Sequence, residues 1–192
     1  MREVLKASAR GLATVCVAPA LASYFVRSLV FGRDRALEGS SQALSLVPGL
    51  LGQYLRRAFL SRVIAHCAPS AVIEFGTIFS AAGTRIDENV YLGPRCHIGL
   101  AHFERDVLLG PAVHVPSGRL THGIGDGSAP IRDQEGRRTL VRIGEGSWIG
   151  SAAVVMAEVG RHTVVGAGAV VTKPLPDRVV AGGVPARVLR SR

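Results

Sequence analysis

Residues 86–116 read IDENVY LGPRCH IGLAH FERDVL LGPAVH VP, and residues 143–174 read IGEGSW IGSAAV VMAE VGRHTV VGAGAV VTKP. An aliphatic residue, or Phe103 once, opens each block. Gly usually follows the opener, and a small residue or Val usually holds the fifth place. IGLAH is one residue short and VMAE two. A helix repeats near 3.6 residues and a lone strand at 2, so a period of six is neither. It fits a short strand followed by a corner, with three such units closing a triangular coil. The opener then points inward and stacks on its counterpart one coil away, about 4.8 Å along the axis. The Gly after it would let the chain turn without a Cβ clash. Coils bond to each other along the stack, which satisfies the backbone. Self-similarity at a fixed period defines a solenoid. The reading is therefore mainly β, a parallel β-helix shaped as a triangular prism over residues 67–192. Residues 72–85 read as a further, irregular coil without a fixed register.

Composition agrees. Hydrophobic residues make up 47% of the 192 and aromatics 5%, so the core must be built from Val, Ile, Leu and Ala. That length suits one domain plus an appendage. The net charge of +9 is uneven: residues 1–62 hold nine basic and three acidic groups, and residues 63–192 hold fourteen and eleven. Two-thirds of the excess thus sits on the first third of the chain. These basic residues are scattered among apolar stretches, which favours an anionic membrane surface over nucleic acid. Cys16, Cys67 and Cys96 form an odd set without metal spacing. They read as reduced, buried thiols in a cytosolic protein, and no metal is expected.

Residues 1–66 read as a helical, basic and apolar N-terminal extension. Residues 11–26 carry no charge and follow Arg2, Lys6 and Arg10. Ala20-Leu21-Ala22 offers a signal-peptidase site. Arg27 closes the stretch short of a spanning helix, and Pro19 would kink it. Farther on, Leu50, Leu51, Tyr54, Leu55, Ala58 and Phe59 recur at helical spacing, with Arg56, Arg57 and Arg62 off that stripe or at its edge. Such a helix either lies on a membrane surface or packs on the end of the domain.

The repeat stops for an inserted loop, residues 117–140, holding His122, Asp126, Asp133 and Glu135. A loop of that length in a regular solenoid is usually functional or disordered. Imidazole titrates near neutrality and is the natural base for proton transfer from a hydroxyl, which singles out His122. Asp126 or Asp133 is available to orient the ring. His97 and His114 each close a block before an inward opener, so they should share one column in adjacent coils and line an acceptor cleft.

The repeat resembles that of the hexapeptide-repeat acyltransferases, whose fold is a left-handed parallel β-helix, and the handedness comes from this resemblance. Within them the chain is most similar to the maltose and galactoside type sugar O-acetyltransferases. Thr121-His122 matches their Thr-His-Pro motif, with Gly123 in place of the proline, and Ala112-Val113-His114-Val115 also matches. Gly93-Pro94-Arg95 stands where those enzymes carry an acceptor-placing asparagine. Residues 165–190 resemble their acetyl-CoA end, including the tail VPARVLR. Carried over by position, the donor set is Gly150, Ser151, Ala167, Thr172, Lys173, Arg187 and Arg190. The resemblance implies an acetyl-CoA-dependent O-acetyltransferase with His122 as general base and direct attack on the thioester. It further implies an oxyanion held near Gly150–Ser151 and a homotrimer with sites between neighbours. The expected acceptor is a saccharide hydroxyl, on a surface-polysaccharide or lipid-linked sugar precursor at the cytoplasmic face of a membrane. A small soluble acceptor, an antibiotic or amino acid, is the alternative. A γ-carbonic anhydrase-like metalloenzyme is a rival on the spacing of His97 and His102, and a noncatalytic scaffold is another.

Overall fold

A computed structural model describes residues 10–192. Three sheets of short strands, most of them two residues long, form the walls of a prism. The first holds β1 (His66–Cys67), β4 (Arg85–Ile86), β7 (Ala101–Phe103) and β10 (Val141–Ile143). The second runs β2 (Val72–Ile73), β5 (Tyr91–Leu92), β8 (Leu108–Leu109), β11 (Trp148–Ile149), β13 (Val164–Val165) and β15 (Val179–Gly182). The third comprises β3 (Ile78–Phe79), β6 (His97–Ile98), β9 (His114–Val115), β12 (Val154–Val155) and β14 (Val170–Val171). These strands pair in parallel, and β16 (Arg187–Ser191) returns antiparallel on β15. The openers form the core: Ile73, Leu92, Leu109, Ile149 and Val165 stack behind the second sheet and are fully buried. The coil at residues 72–85 is regular, with Val72 beside Tyr91 and Ile78 beside His97. Of the three inward places in this first coil, Cys67 and Phe79 hold two and Ile73 the third, so two of its three openers are not aliphatic and the register was hidden.

The glycines after the openers serve a different purpose from the one expected. The left-handed corner lies three residues past the opener, at Asn89, Arg95, Asp106, Ala112 and Ala152, all with φ of 56–60°. A Cβ on Gly150 would meet the Ala167 nitrogen at 2.5 Å, and one on Gly93 would meet the Leu109 carbonyl oxygen at 2.7 Å. Glycine is needed because the next coil passes so close.

Four helices precede the prism: α1 (Arg10–Cys16), α2 (Ala18–Phe31), α3 (Arg33–Ser45) and α4 (Gly49–Val63). α1 and α2 meet at 52°, and Pro19 begins α2, where its missing N–H costs nothing. No single helix among the described residues is long and apolar enough to cross a membrane, although this bent pair together has the length and composition. Arg2 and Lys6 lie outside the described residues. α4 packs on β1 and β2 and closes the end of the prism. The expected apolar stripe on it holds in part: Phe59 and Ala58 are buried, and Tyr54 and Leu55 pack against the core. Leu50 and Leu51 are exposed, whereas Arg56 is 2% exposed. Its guanidinium donates to the carbonyls of Ile73 (2.9 Å), Val47 (2.7 Å) and Leu44 (3.2 Å), tying the end of α3 to the first coil. Burial lowers its affinity for protons, against the pull of Glu74. α3 covers the edge of the third sheet: Ser41 Oγ accepts the Phe79 N–H at 3.0 Å and donates to the Phe79 carbonyl at 3.1 Å. The exposed apolar surface lies instead on α1 and α2, through Leu12, Val15, Phe25, Val26, Leu29, Val30 and Phe31.

Candidate active site

Parallel pairing of β6 with β9 sets His97 directly beside His114, with ring centroids 5.9 Å apart and edge-on. The chain leaves the prism after Val115 and returns at Val141, and this loop swings back over the third face. His122 and Thr121 thereby join His97 and His114 around one cavity of about 480 Å³, completed by Ser80, Ser117 and Arg138. Side chains 25 residues apart in sequence thus line one cavity.

The loop is braced. The Thr139 N–H donates to the Ser117 carbonyl at 2.9 Å, and Leu120 bridges Arg137 in antiparallel fashion. A Cβ on Gly136 would overlap the Thr121 carbonyl oxygen, and one on Gly123 would lie 2.7 Å from the Glu135 carbonyl oxygen. Glycine at 123 thus lets the two arms cross beside His122. Arg138 Nη1 donates to Asp34 at 2.8 Å, fastening the loop to α3.

Burial depresses the proton affinity of His97, and the neighbouring His114 depresses it further, against an opposing pull from Glu38. His97 is therefore neutral at pH 7, able to donate from one nitrogen and accept at the other. Asp126 stands elsewhere: its carboxylate accepts the Ser128 N–H (2.8 Å) and hydroxyl (2.6 Å), which hold it below the usual carboxylate range. Asp133 pairs with Arg132 at 3.7 Å. Among the described residues neither acid is bonded to His122, because each is engaged within its own turn.

The donor set falls in three places around the last coils. Gly150–Ser151 and Ala167 stack at the corner between the second and third sheets, where the Gly168 N–H donates to the Ser151 carbonyl at 2.8 Å. Thr172 and Lys173 follow β14 at the next corner, and Arg187 and Arg190 lie exposed on β16. The Gly150 N–H is already bonded to the Val165 carbonyl at 2.7 Å, so it is not an oxyanion donor.

His97 and His102 do not form a ligand pair. His97 lies on the third face, and His102 lies on the first, bonded to Asp87 at 2.9 Å. Among the described residues no three His, Cys, Asp or Glu side chains are grouped to hold a metal. Burial pushes the Cys67 thiol up to about 12 and the Cys96 thiol up to about 11, so neither supplies a thiolate nucleophile. Cys16 is exposed on α1 rather than buried.

The architecture matches solved structures over most of its length. A maltose O-acetyltransferase from Clostridium difficile 630 superposes with a TM-score of 0.69 at 20% identity, covering 82% of this chain and 87% of the other. A galactoside acetyltransferase in complex with coenzyme A gives 0.65 at 23% identity, covering 82% and 80%. The chain has the left-handed β-helix fold of the hexapeptide-repeat acetyltransferases. Sequence likeness to that acetyltransferase fold is local. The galactoside O-acetyltransferase of Escherichia coli K12 is 48% identical over 52 residues, 26% of each chain. The chain spans about a quarter to two fifths of the length of the curated relatives it matches. No family model matches it. On this acetyltransferase fold, sequence reasoning missed Ser80, Ser117 and Arg138. No motif marks them, because sheet register and the tie to α3 bring them to the cavity.

Proposed function

We propose that the chain transfers an acetyl group from acetyl-CoA to a saccharide hydroxyl. The observation that carries this is the gathering of His122, His97 and His114 in one cavity on the prism's third face, under a braced loop. His122 Nε2 accepts the proton of the acceptor hydroxyl as that oxygen attacks the thioester carbonyl. Neutral His97, with His114 and the hydroxyls of Ser80 and Ser117, hydrogen-bonds and orients the sugar. The Ser151 N–H, one residue past the engaged Gly150, is the oxyanion donor. Lys173, Arg187 and Arg190 are exposed cations that pair with the coenzyme's phosphates.

The donor set lies around the last coils. The resemblance to the sugar O-acetyltransferases supports a trimer with sites between neighbours as the working unit. Its interface is the outer wall of the second sheet, where Tyr91, Leu108, Trp148, Val164 and Val180 form one apolar column in register. The acceptor belongs to a surface-polysaccharide or lipid-linked precursor. It is met on the cytoplasmic side of a membrane, with the apolar α1–α2 surface against the lipid. Flotation with phosphatidylglycerol vesicles checks that placement: Leu29→Glu should abolish it, and unaltered flotation would refute it.

The catalytic part is tested by thiol release from acetyl-CoA with maltose, a galactoside and serine as acceptors. Saccharide should be preferred, and His122→Ala should lower kcat by about 10²–10⁴, the usual worth of a general base. Equal turnover in the variant removes the assignment, and a preference for serine replaces the acceptor class.

A further inference from the structure

The histidine cavity continues beyond the prism. It shares Ser80 and Arg138 with a second cavity of about 550 Å³ at the elbow between α2 and α3, which adds Phe31, Arg33, Arg35 and Glu38. Asp34 fixes the junction. Its Oδ1 accepts the Ala82 N–H at 2.9 Å and its Oδ2 accepts from Arg138 at 2.8 Å, so its charge is matched. Glu38, one turn further along α3, lines this second cavity, and its charge favours the protonated form of His97. At the outer end stand two exposed guanidiniums, Arg33 and Arg35, beside Phe31. Behind Phe31 the end of α2 exposes further hydrocarbon, with Val30 71% and Leu29 88% exposed. Along its length the groove passes from imidazoles and hydroxyls, through an acid–base pair, to two guanidiniums without an acidic partner, and it ends beside the aliphatic surface of α2.

That order matches one kind of acceptor. We propose that the groove binds a saccharide joined through phosphate to a long alkyl or isoprenoid chain. The sugar lies at His122, the phosphate on Arg33 and Arg35, and the first part of the hydrocarbon on Leu29, Val30 and Phe31. Guanidinium forks match phosphate oxygens bidentately. A soluble sugar phosphate would use the two arginines but gain nothing from the exposed aliphatic stretch, whereas a neutral glycolipid would gain nothing from the arginines. The sugar end of this inference rests on the proposed acetyl transfer. The phosphate and hydrocarbon ends do not, and they can be measured without turnover.

The probes are farnesyl phosphate, inorganic phosphate and farnesol, titrated calorimetrically into the full chain without acetyl-CoA. Farnesyl phosphate should bind about tenfold or more tightly than either of the others, the effect of one charge-assisted contact or of a few buried methylenes. Arg33→Ala/Arg35→Ala should lose about tenfold in farnesyl phosphate affinity by the same arithmetic. Arg33 also donates to the Val63 carbonyl at 3.1 Å. Arg35→Glu alone, checked for an unchanged melting temperature, therefore carries the result if the double variant unfolds. His122→Ala should bind the probe like wild type, so a failed catalytic assignment and a failed groove assignment are read separately. Absence of binding to wild type, equal affinity for inorganic phosphate, or full affinity in both arginine variants would overturn the proposal.

Discussion

Seen from inside, the second and third faces of the prism are alike: Leu92, Leu109 and Ile149 line one, and Ile98, Val115 and Val155 line the other, all fully buried. Seen from outside they differ. The second face presents Tyr91, Leu108, Trp148 and Val164 in register, and the third presents His97 and His114, then Val154 and Val170. Strands two residues long give each coil one inward and one outward position per face. The inward position is fixed by packing, so the outward one alone is available for chemistry or association. Parallel stacking near 4.8 Å then multiplies whatever stands there into a column. An apolar column suits a neighbour's surface, and an imidazole pair suits a polar ligand.

Two changes test this contrast. The larger effect is expected from Trp148→Glu, since Trp148 is 51% exposed in the single chain and lies at the centre of the apolar column. A carboxylate buried there without a partner would cost on the order of several kcal/mol. Light scattering should show monomers in place of trimers, with activity falling alongside. A variant that remains trimeric would show that the second face is not the interface. The smaller effect concerns the third face. His97 has its proton affinity lowered in the folded chain, by burial first and by His114 second. The unfolded chain therefore binds more protons below the free imidazole range, and stability should fall as pH drops below about 6.5. His97→Gln should flatten the melting temperature between pH 5 and 7, and an unchanged slope would mean that the groove screens His97 like open water.

Legibility in the sequence followed burial. The coils with aliphatic openers could be read directly, whereas the first coil was obscured because Cys67 and Phe79 occupy two of its three inward places. The His97–His114 column could be read because the repeat counts residues between coils. The role of the glycines could not, since a Cβ on Gly150 is excluded by Ala167 of the next coil, a contact outside any local pattern. Arg56 illustrates the same gap: a charged residue expected off the apolar stripe or at its edge is buried because four backbone carbonyls converge on it. Asp126 was read as a companion of the site, and a local turn with Ser128 claimed it.

A six-residue period with inward aliphatics determined the triangular coil and the neighbours in each column, because no other arrangement buries every opener; its hand came from the family resemblance, and the corner positions from the structure. Where the inserted loop folds back, which cations meet it and how α3 closes the groove depended on contacts such as Arg138 with Asp34, 104 positions apart. No periodicity spans such a distance. Only the packed chain brings those charges within hydrogen-bonding range.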